Sequence, residues 1–507
     1  MPRDRRSGVL LHPTSLPGPH GVGDLGAAAH RFVAWLAAAR QRVWQVLPLG
    51  PTGYGDSPYQ ALSSHAGNPL LVSLEVLRNE GWLDPADLAG APDDASPDRA
   101  ELERAGPWKR ERLARAAAAF LARASPAARS DLEAFRAREA RWLEDWALFA
   151  VLKAEHGSAP WTAWPSPLAR RDPAALRQAR ARHTAGLFAE IFSQWSFFRQ
   201  WRALRARCRA LDVALLGDLP IYAAHDSVEV WSRPDLFRLD AAGAPQVVAG
   251  VPPDYFSATG QRWGNPLYAW EAIAREGWAF WIERLRGTLA LVDRVRLDHF
   301  RGFEAYWEIP AGAPTAEAGR WVPGPGAELL EALRRALGPL PLVAENLGVI
   351  TPEVEALRRR FELPGMAVLQ FAFGNDPQAP TFLPHAYERD TVAYTGTHDN
   401  DTVMGWWSGG AGESVRTDDE VAAEKARALE YLGADGSEMS WTMIRAVLAS
   451  VADTAIVPAQ DVLGLGSEAR MNTPATLGGN WRWRLREQAL GVPHAARLAR
   501  FVELYGR

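Results

Sequence analysis

Eight short apolar runs, several of which end abruptly in polar residues, constrain this chain more than any other feature. They cover residues 8–12, 43–47, 213–218, 292–298, 341–345, 366–371, 391–395 and 454–458. Runs this short and this apolar suit parallel strands covered on both faces. Helix-like patterns over 27–40, 279–291, 327–337 and 351–360 follow or separate several of them. The alternation predicts the α/β class and, within it, a (β/α)8 or TIM barrel.

The spacing of the runs is uneven. Roughly 165 residues part the second run from the third, far more than one strand–helix unit needs. Ala/Arg/Glu-rich stretches at 100–124 and 131–155 predict amphipathic helices there, so 70–212 reads as a mainly helical insertion. A second insertion, 223–276, is rich in Gly, Pro and aromatic residues and reads as a loop or small β region. A third, 401–440, mixes an acidic helix with Gly-rich turns. With no repeat or linker, 1–507 reads as one catalytic barrel carrying these insertions.

Composition narrows the function. The formal net charge is -4, and no basic patch interleaved with aromatics appears, which argues against a nucleic-acid partner. No apolar run approaches a membrane-spanning length. The single cysteine, Cys208, excludes a disulfide framework within the chain, and the start of the sequence has no signal-peptide core. A cytoplasmic protein is the expectation. The 22 tryptophans admit two readings. Half of them packing the core would be ordinary, yet flat aromatic faces also suit the C–H faces of sugars.

In a barrel, chemistry gathers at the carboxyl ends of the strands. Asp298 closes Arg-Val-Arg-Leu-Asp-His-Phe, Glu345 closes Pro-Leu-Val-Ala-Glu-Asn, and Asp399 follows Tyr-Thr-Gly-Thr-His. Strand alternation puts Arg296 on the face of Asp298, where a guanidinium favours the ionised carboxylate. Singly, each acid could be structural: an ion pair, a helix cap, a turn. Together, three carboxyl groups from separate strand ends repel one another unless function holds them there. Retaining glycoside chemistry needs such a set, with an ionised nucleophile and a protonated acid roughly 5–5.5 Å apart. A third acid can grip ring hydroxyls as the transition state forms. No zinc, serine-elbow, P-loop or dinucleotide fingerprint competes.

Longer motifs then become recognisable. They include Leu11-His-Pro-Thr-Ser-Leu16, the stretch Trp44–Gln60 with Gly50-Pro-Thr-Gly-Tyr-Gly55, and Gly217-Asp-Leu-Pro-Ile-Tyr222. Gly250-Val-Pro-Pro-Asp-Tyr-Phe256, Gly260-Gln-Arg-Trp-Gly-Asn-Pro-Leu-Tyr268 and Arg296-Leu-Asp-His-Phe-Arg-Gly302 follow. Ala344-Glu-Asn-Leu-Gly348, Thr395-Gly-Thr-His-Asp-Asn-Asp401 and Glu468-Ala-Arg-Met-Asn472 complete the series. In this order the motifs closely resemble the amylomaltases, 4-α-glucanotransferases of glycoside hydrolase family 77. The resemblance implies a TIM barrel without a separate carboxyl-terminal β domain, and neither a metal nor an organic cofactor. It implies α-1,4-glucans from starch or glycogen and maltooligosaccharides as substrates, with glucose as an acceptor.

Residue by residue, the resemblance makes Asp298 the nucleophile, Glu345 the acid/base, Asp399 the transition-state stabiliser and Arg296 the residue that orients the nucleophile. Tyr59, Asp218, His398 and Asn472 match the donor-sugar site, and Tyr54 an aromatic used by longer chains. Phe256 and Trp263 belong to a loop arching over the groove, and Gln261 and Phe371 are further substrate-binding positions. Asn346 and Asn375 stand where acidic residues are usual. The acids alone leave two alternatives open: an α-1,4-glucan hydrolase using the same site, or a non-catalytic glucan-binding protein.

Overall fold

The computed structural model describes residues 5–92, 97–253, 257–409, 417–476 and 478–507. Its core is the barrel that the eight apolar runs predict. The barrel strands are β1 (Arg6–Leu10), β2 (Val43–Gln45) and β3 (Ala214–Leu219). Between β3 and the next barrel strand come β4 (Val247–Val251) and β5 (Gln261–Pro266), which belong to a second sheet. The barrel resumes with β6 (Arg294–Leu297); β7 (Ala305–Pro310) and β8 (Arg320–Pro323) then return to the second sheet. Strands β9 (Leu342–Ala344), β10 (Gly365–Val368), β11 (Thr391–Tyr394) and β12 (Thr454–Pro458) complete the ring.

All seven barrel ladders are parallel, in the order β10-β11-β12-β1-β2-β3-β6-β9. Between β9 and β10 the ring is bridged by the Ala344 amide donating to the Pro364 carbonyl at 2.8 Å. Strand burial explains why these runs are so apolar: Val9, Trp44, Leu215, Val295, Val343, Val368, Ala393 and Ile456 are fully covered. Gly8 is required where β1 and β2 approach, because a Cβ there would lie 2.2 Å from the Val43 carbonyl oxygen.

Between β2 and β3 stand the helices Leu102–Arg123, Pro126–Arg138, Ala140–Glu155, Pro173–Arg182 and Thr184–Ala210. The pattern at 131–155 reads as one amphipathic stretch but spans two helices that part at Glu139. The first of them begins under Ser125, whose hydroxyl accepts from the Ala128 amide, with Pro126 at the first helical position. Phe120, Phe135, Phe192 and Trp195 join these helices to the same continuous apolar core as the barrel. Eleven of the 22 tryptophans are buried, so packing accounts for half of that bias.

The second sheet, ordered β5-β4-β7-β8, is antiparallel. Two of its strands come from 305–323, beyond the 223–276 stretch where the sequence suggests a small β region. After β11 come the helices Val403–Ser408 and Asp418–Leu432. Among the described residues, no helix is long and apolar enough to cross a membrane.

Candidate active site

Strand register builds the site. In the parallel β3–β6 ladder Asp218 pairs with Arg296, and in β6–β9 Leu297 pairs with Ala344. One residue further, the Asp298 amide donates to the Leu219 carbonyl and the Glu345 amide to the Leu297 carbonyl, each at 3.1 Å. Asp298 and Glu345 therefore leave adjacent strands side by side.

Arg296 is buried inside the barrel mouth and forks two carboxylates. Its Nη1 donates to Asp218 Oδ2 at 2.6 Å, and its Nη2 lies 3.0 Å from Asp298 Oδ1. The Tyr59 hydroxyl donates to the same Asp218 oxygen at 3.0 Å. Glu345 is gripped from both sides by backbone: the His299 amide donates to Oε2 at 2.7 Å and the Leu347 amide to Oε1 at 2.9 Å. His299 reaches it from a left-handed conformation, φ 50°, directly after the nucleophile candidate. Local strain of that kind is maintained where surrounding structure demands it.

Asp399 is oriented by three neighbours. Asn472 Nδ2 donates to its Oδ1 at 2.6 Å, His398 Nε2 lies 3.3 Å from its Oδ2, and Arg470 Nη2 donates to its carbonyl at 2.7 Å. The Tyr59 and His398 rings stack at 5.0 Å and 12°. Trp481 packs against both at 5.9 Å. Asp298, Glu345, Asp399, Arg296, Tyr59, Asp218, His398 and Asn472 thus form one connected cluster.

Burial sets the electrostatics. It pushes the carboxyl groups of both Asp298 and Glu345 up from their ordinary values, while Arg296 pulls both back. The proton held by this pair belongs to both groups. Arg296, in direct contact with Asp298, favours the anion there, and the His299 and Leu347 amides pull the Glu345 carboxyl back in the same sense. Burial lowers His398, and it lowers His299 to about 3 and His12, which also faces His398, to about 3. These rings are neutral at physiological pH.

The remaining candidates lie further out. Gln261 and Trp263 stand on β5, where Trp263 Nε1 donates to Gln261 Oε1 at 3.0 Å. The Trp263 ring meets His299 edge-on at 4.9 Å, so β5 touches the residue that holds Glu345. Gln60 Nε2, next to Tyr59, donates to Asn265 Oδ1 at 2.9 Å and ties that loop to the same strand. Tyr255 and Phe256 lie outside the described residues. Phe371 stands in a short 3-10 turn beyond β10 instead of within the strand, its ring 5.6 Å from Phe382. Tyr54 is 72% exposed on the turn Tyr54–Asp56.

The two departures face structural partners. Asn346 donates to Glu355 at 2.7 Å and accepts from the Met366 amide at 2.7 Å, pinning β10. Asn375 bonds to Glu420 and accepts from Arg427. Sequence reasoning missed His299, Arg470 and Trp481. The first two lie inside motifs already quoted, and Trp481 follows the turn-forming Gly478-Gly-Asn480.

The family model described as 4-alpha-glucanotransferase matches residues 11–489. A 4-alpha-glucanotransferase of Thermus thermophilus is 52% identical over 511 residues, covering 99% of each chain. That of Synechocystis sp. is 47% identical, covering 99% of this chain and 98% of its own. The amylomaltase from Streptococcus agalactiae, solved in complex with acarbose, superposes with a TM-score of 0.93 at 36% identity, covering 99% of this chain and 100% of its own. By motif, barrel and full-length similarity alike, this chain belongs to glycoside hydrolase family 77, the family of the 4-α-glucanotransferases.

Proposed function

We infer that this chain is a 4-α-glucanotransferase that moves segments of α-1,4-glucan from a donor to the 4-hydroxyl of glucose or a maltooligosaccharide. The observation that carries the reading is the fork of Arg296 on Asp218 and Asp298, set beside a Glu345 held by two backbone amides. We read the guanidinium as keeping Asp298 ionised and burial as favouring a proton on Glu345, whose anion the two amides stabilise once the proton has left.

In the first step the Asp298 carboxylate attacks the anomeric carbon. Glu345 gives its proton to the glycosidic oxygen, the C–O bond breaks, and the reducing-end segment leaves. The remaining segment is a β-glucosyl ester of Asp298. The Glu345 anion formed is stabilised by the His299 and Leu347 amides. In the second step Glu345 takes the proton of the acceptor 4-hydroxyl, whose oxygen displaces Asp298 and restores the α-1,4 linkage. Asp399, held by Asn472 and His398, grips ring hydroxyls most tightly as positive charge develops. Tyr59 and Asp218 line the donor sugar, and Tyr54 serves longer chains.

We read the helices between β2 and β3 as an inserted unit and the second sheet as a lid on the acceptor side. No metal or organic cofactor enters these steps. A cytoplasmic location belongs to the same reading, supported by the lone, buried Cys208. Incubation with maltotriose tests the whole. A ladder of longer products is expected, whereas glucose and maltose alone would make the chain a hydrolase, and unchanged maltotriose a binding protein.

A further inference from the structure

The loops that follow Asp298 and Glu345 meet again outside the catalytic cluster, at Arg301. Its guanidinium lies on the ring of Trp321, 3.7 Å from the centroid, and its Nη1 donates to the Val349 carbonyl. Arg301 is buried, but Trp321 and Val349 are 38% and 48% exposed. Trp321 stands on β8, at the edge of the second sheet, across from Trp307, whose ring it meets edge-on at 5.1 Å. An arginine below and a tryptophan at the side thus hold the indole while much of it stays open to solvent.

The position of this patch gives it a direction. Glu345 must face the oxygen of the departing chain, so the loop that runs from Glu345 to Val349 follows the side from which one chain leaves and the next enters. Val349 ends that loop, and Arg301, three residues beyond Asp298, joins it to Trp321. A pyranose presents apolar C–H faces and a rim of hydroxyls, and an immobilised indole binds such a face with little loss of conformational freedom. The guanidinium on the ring holds the indole in place.

We propose that Trp321, backed by Arg301 and flanked by Val349, is an outer binding platform for the acceptor-side α-1,4-glucan chain. It takes a glucose unit beyond those at the bond under attack, which makes long acceptors better than short ones. This rests on the transferase reading above.

The test measures transfer from a fixed labelled donor to maltose and to maltoheptaose. The quantity read is the ratio of kcat/KM for maltoheptaose over that for maltose. Trp321→Ala is expected to lower this ratio by about three- to tenfold, the worth of one aromatic face. Trp321→Phe, which keeps a flat ring, should restore part of it. An unchanged ratio in folded Trp321→Ala overturns the platform. If that variant fails to fold by circular dichroism, Trp321→Gln is read in the same way, and an unchanged ratio is equally fatal. Failure of the unsubstituted enzyme to transfer at all would instead sink the underlying transferase reading.

Discussion

Arg296 is one cation among four carboxyl groups, and that imbalance governs the chemistry of each. Asp218 and Asp298 touch it, while Glu345 and Asp399 approach the same pocket. Burial raises Asp298 and Glu345, so the folded chain holds a proton that the unfolded chain releases above about pH 4. The stabilisation from that proton is present below the unfolded value and is lost as pH climbs through the folded one. Asp298→Asn should therefore raise Tm, and by more at pH 8 than at pH 4, while cutting transfer by ~10⁴-fold or more. A Tm gain larger at pH 4 than at pH 8 would contradict the sign. Glu345→Gln should stall on maltotriose yet still become glycosylated by α-glucosyl fluoride, whose leaving group needs little acid help. Intact-mass and peptide mapping should place the adduct on Asp298, and an adduct on Asp399 would reverse the assigned roles. Asn472→Ala frees one Asp399 oxygen and should lower kcat by up to ~10²-fold with a smaller change in KM.

We read the second sheet as the element that keeps water from the covalent intermediate. Water is present at about 55 M, so transfer requires that the acceptor displace it from the Glu345 side. Trp263 on β5 touches His299, whose amide holds Glu345, and Gln60–Asn265 ties the same strand to the Tyr59 loop. Trp263→Ala should raise the share of product released by hydrolysis, measured as free reducing ends against total glucose from maltotriose. Equal losses of cleavage and transfer at a constant hydrolysed share would reduce the strand to a structural support. Elements differ in how far the sequence reveals them. The barrel strands are legible because they are largely covered on both faces, and β3 carries Asp218 while β6 and β9 run directly into Asp298 and Glu345. The edge strand β8, Arg-Trp-Val-Pro, carries no such contrast, since it is largely exposed and alternates weakly. The cluster of Asp298, Glu345, Asp399 and Arg296 is legible because strand ends converge. Trp481 and Arg470 are not, because their places depend on contacts with Tyr59, His398 and Asp399, distant in the chain. The left-handed His299 has no local signal either, being a consequence of the fold around Glu345.

At the scale of the whole molecule, two sets of buried groups pull stability in opposite directions with pH. His12, His65 and His299 are lowered by burial to about 3, about 4 and about 3. Depressed groups give stability that is present above the unfolded value near 6.5 and is lost as pH falls through the folded values. Burial raises Asp461 to about 6 and Glu190 to about 7, and it raises Asp298 and Glu345 as well. Raised carboxyls give stability that is present below about pH 4 and is lost as pH rises through the folded values. Between about pH 4.5 and 6.5 the unfolded chain carries extra protons on the histidines, and the folded chain carries extra protons on the carboxyls. The two slopes offset each other there. Above that window only the carboxyl set acts, so stability should decline gently toward pH 8. Below pH 4 the raised carboxyls add no further slope, and the histidines act together with carboxylates held low by arginine and backbone partners, such as Asp87, Asp98 and Glu355. A Tm scan from pH 3 to 9 should therefore show a plateau near pH 5–6.5, a shallow alkaline decline and a steep acid collapse between pH 4 and 3. His65→Gln, outside the catalytic cluster, removes one of the protons that unfolding takes up and should flatten that collapse. A Tm that climbs steadily from pH 5 to 9, or an acid limb that His65→Gln leaves as steep as before, would show that these buried groups do not set the pH limits of the fold.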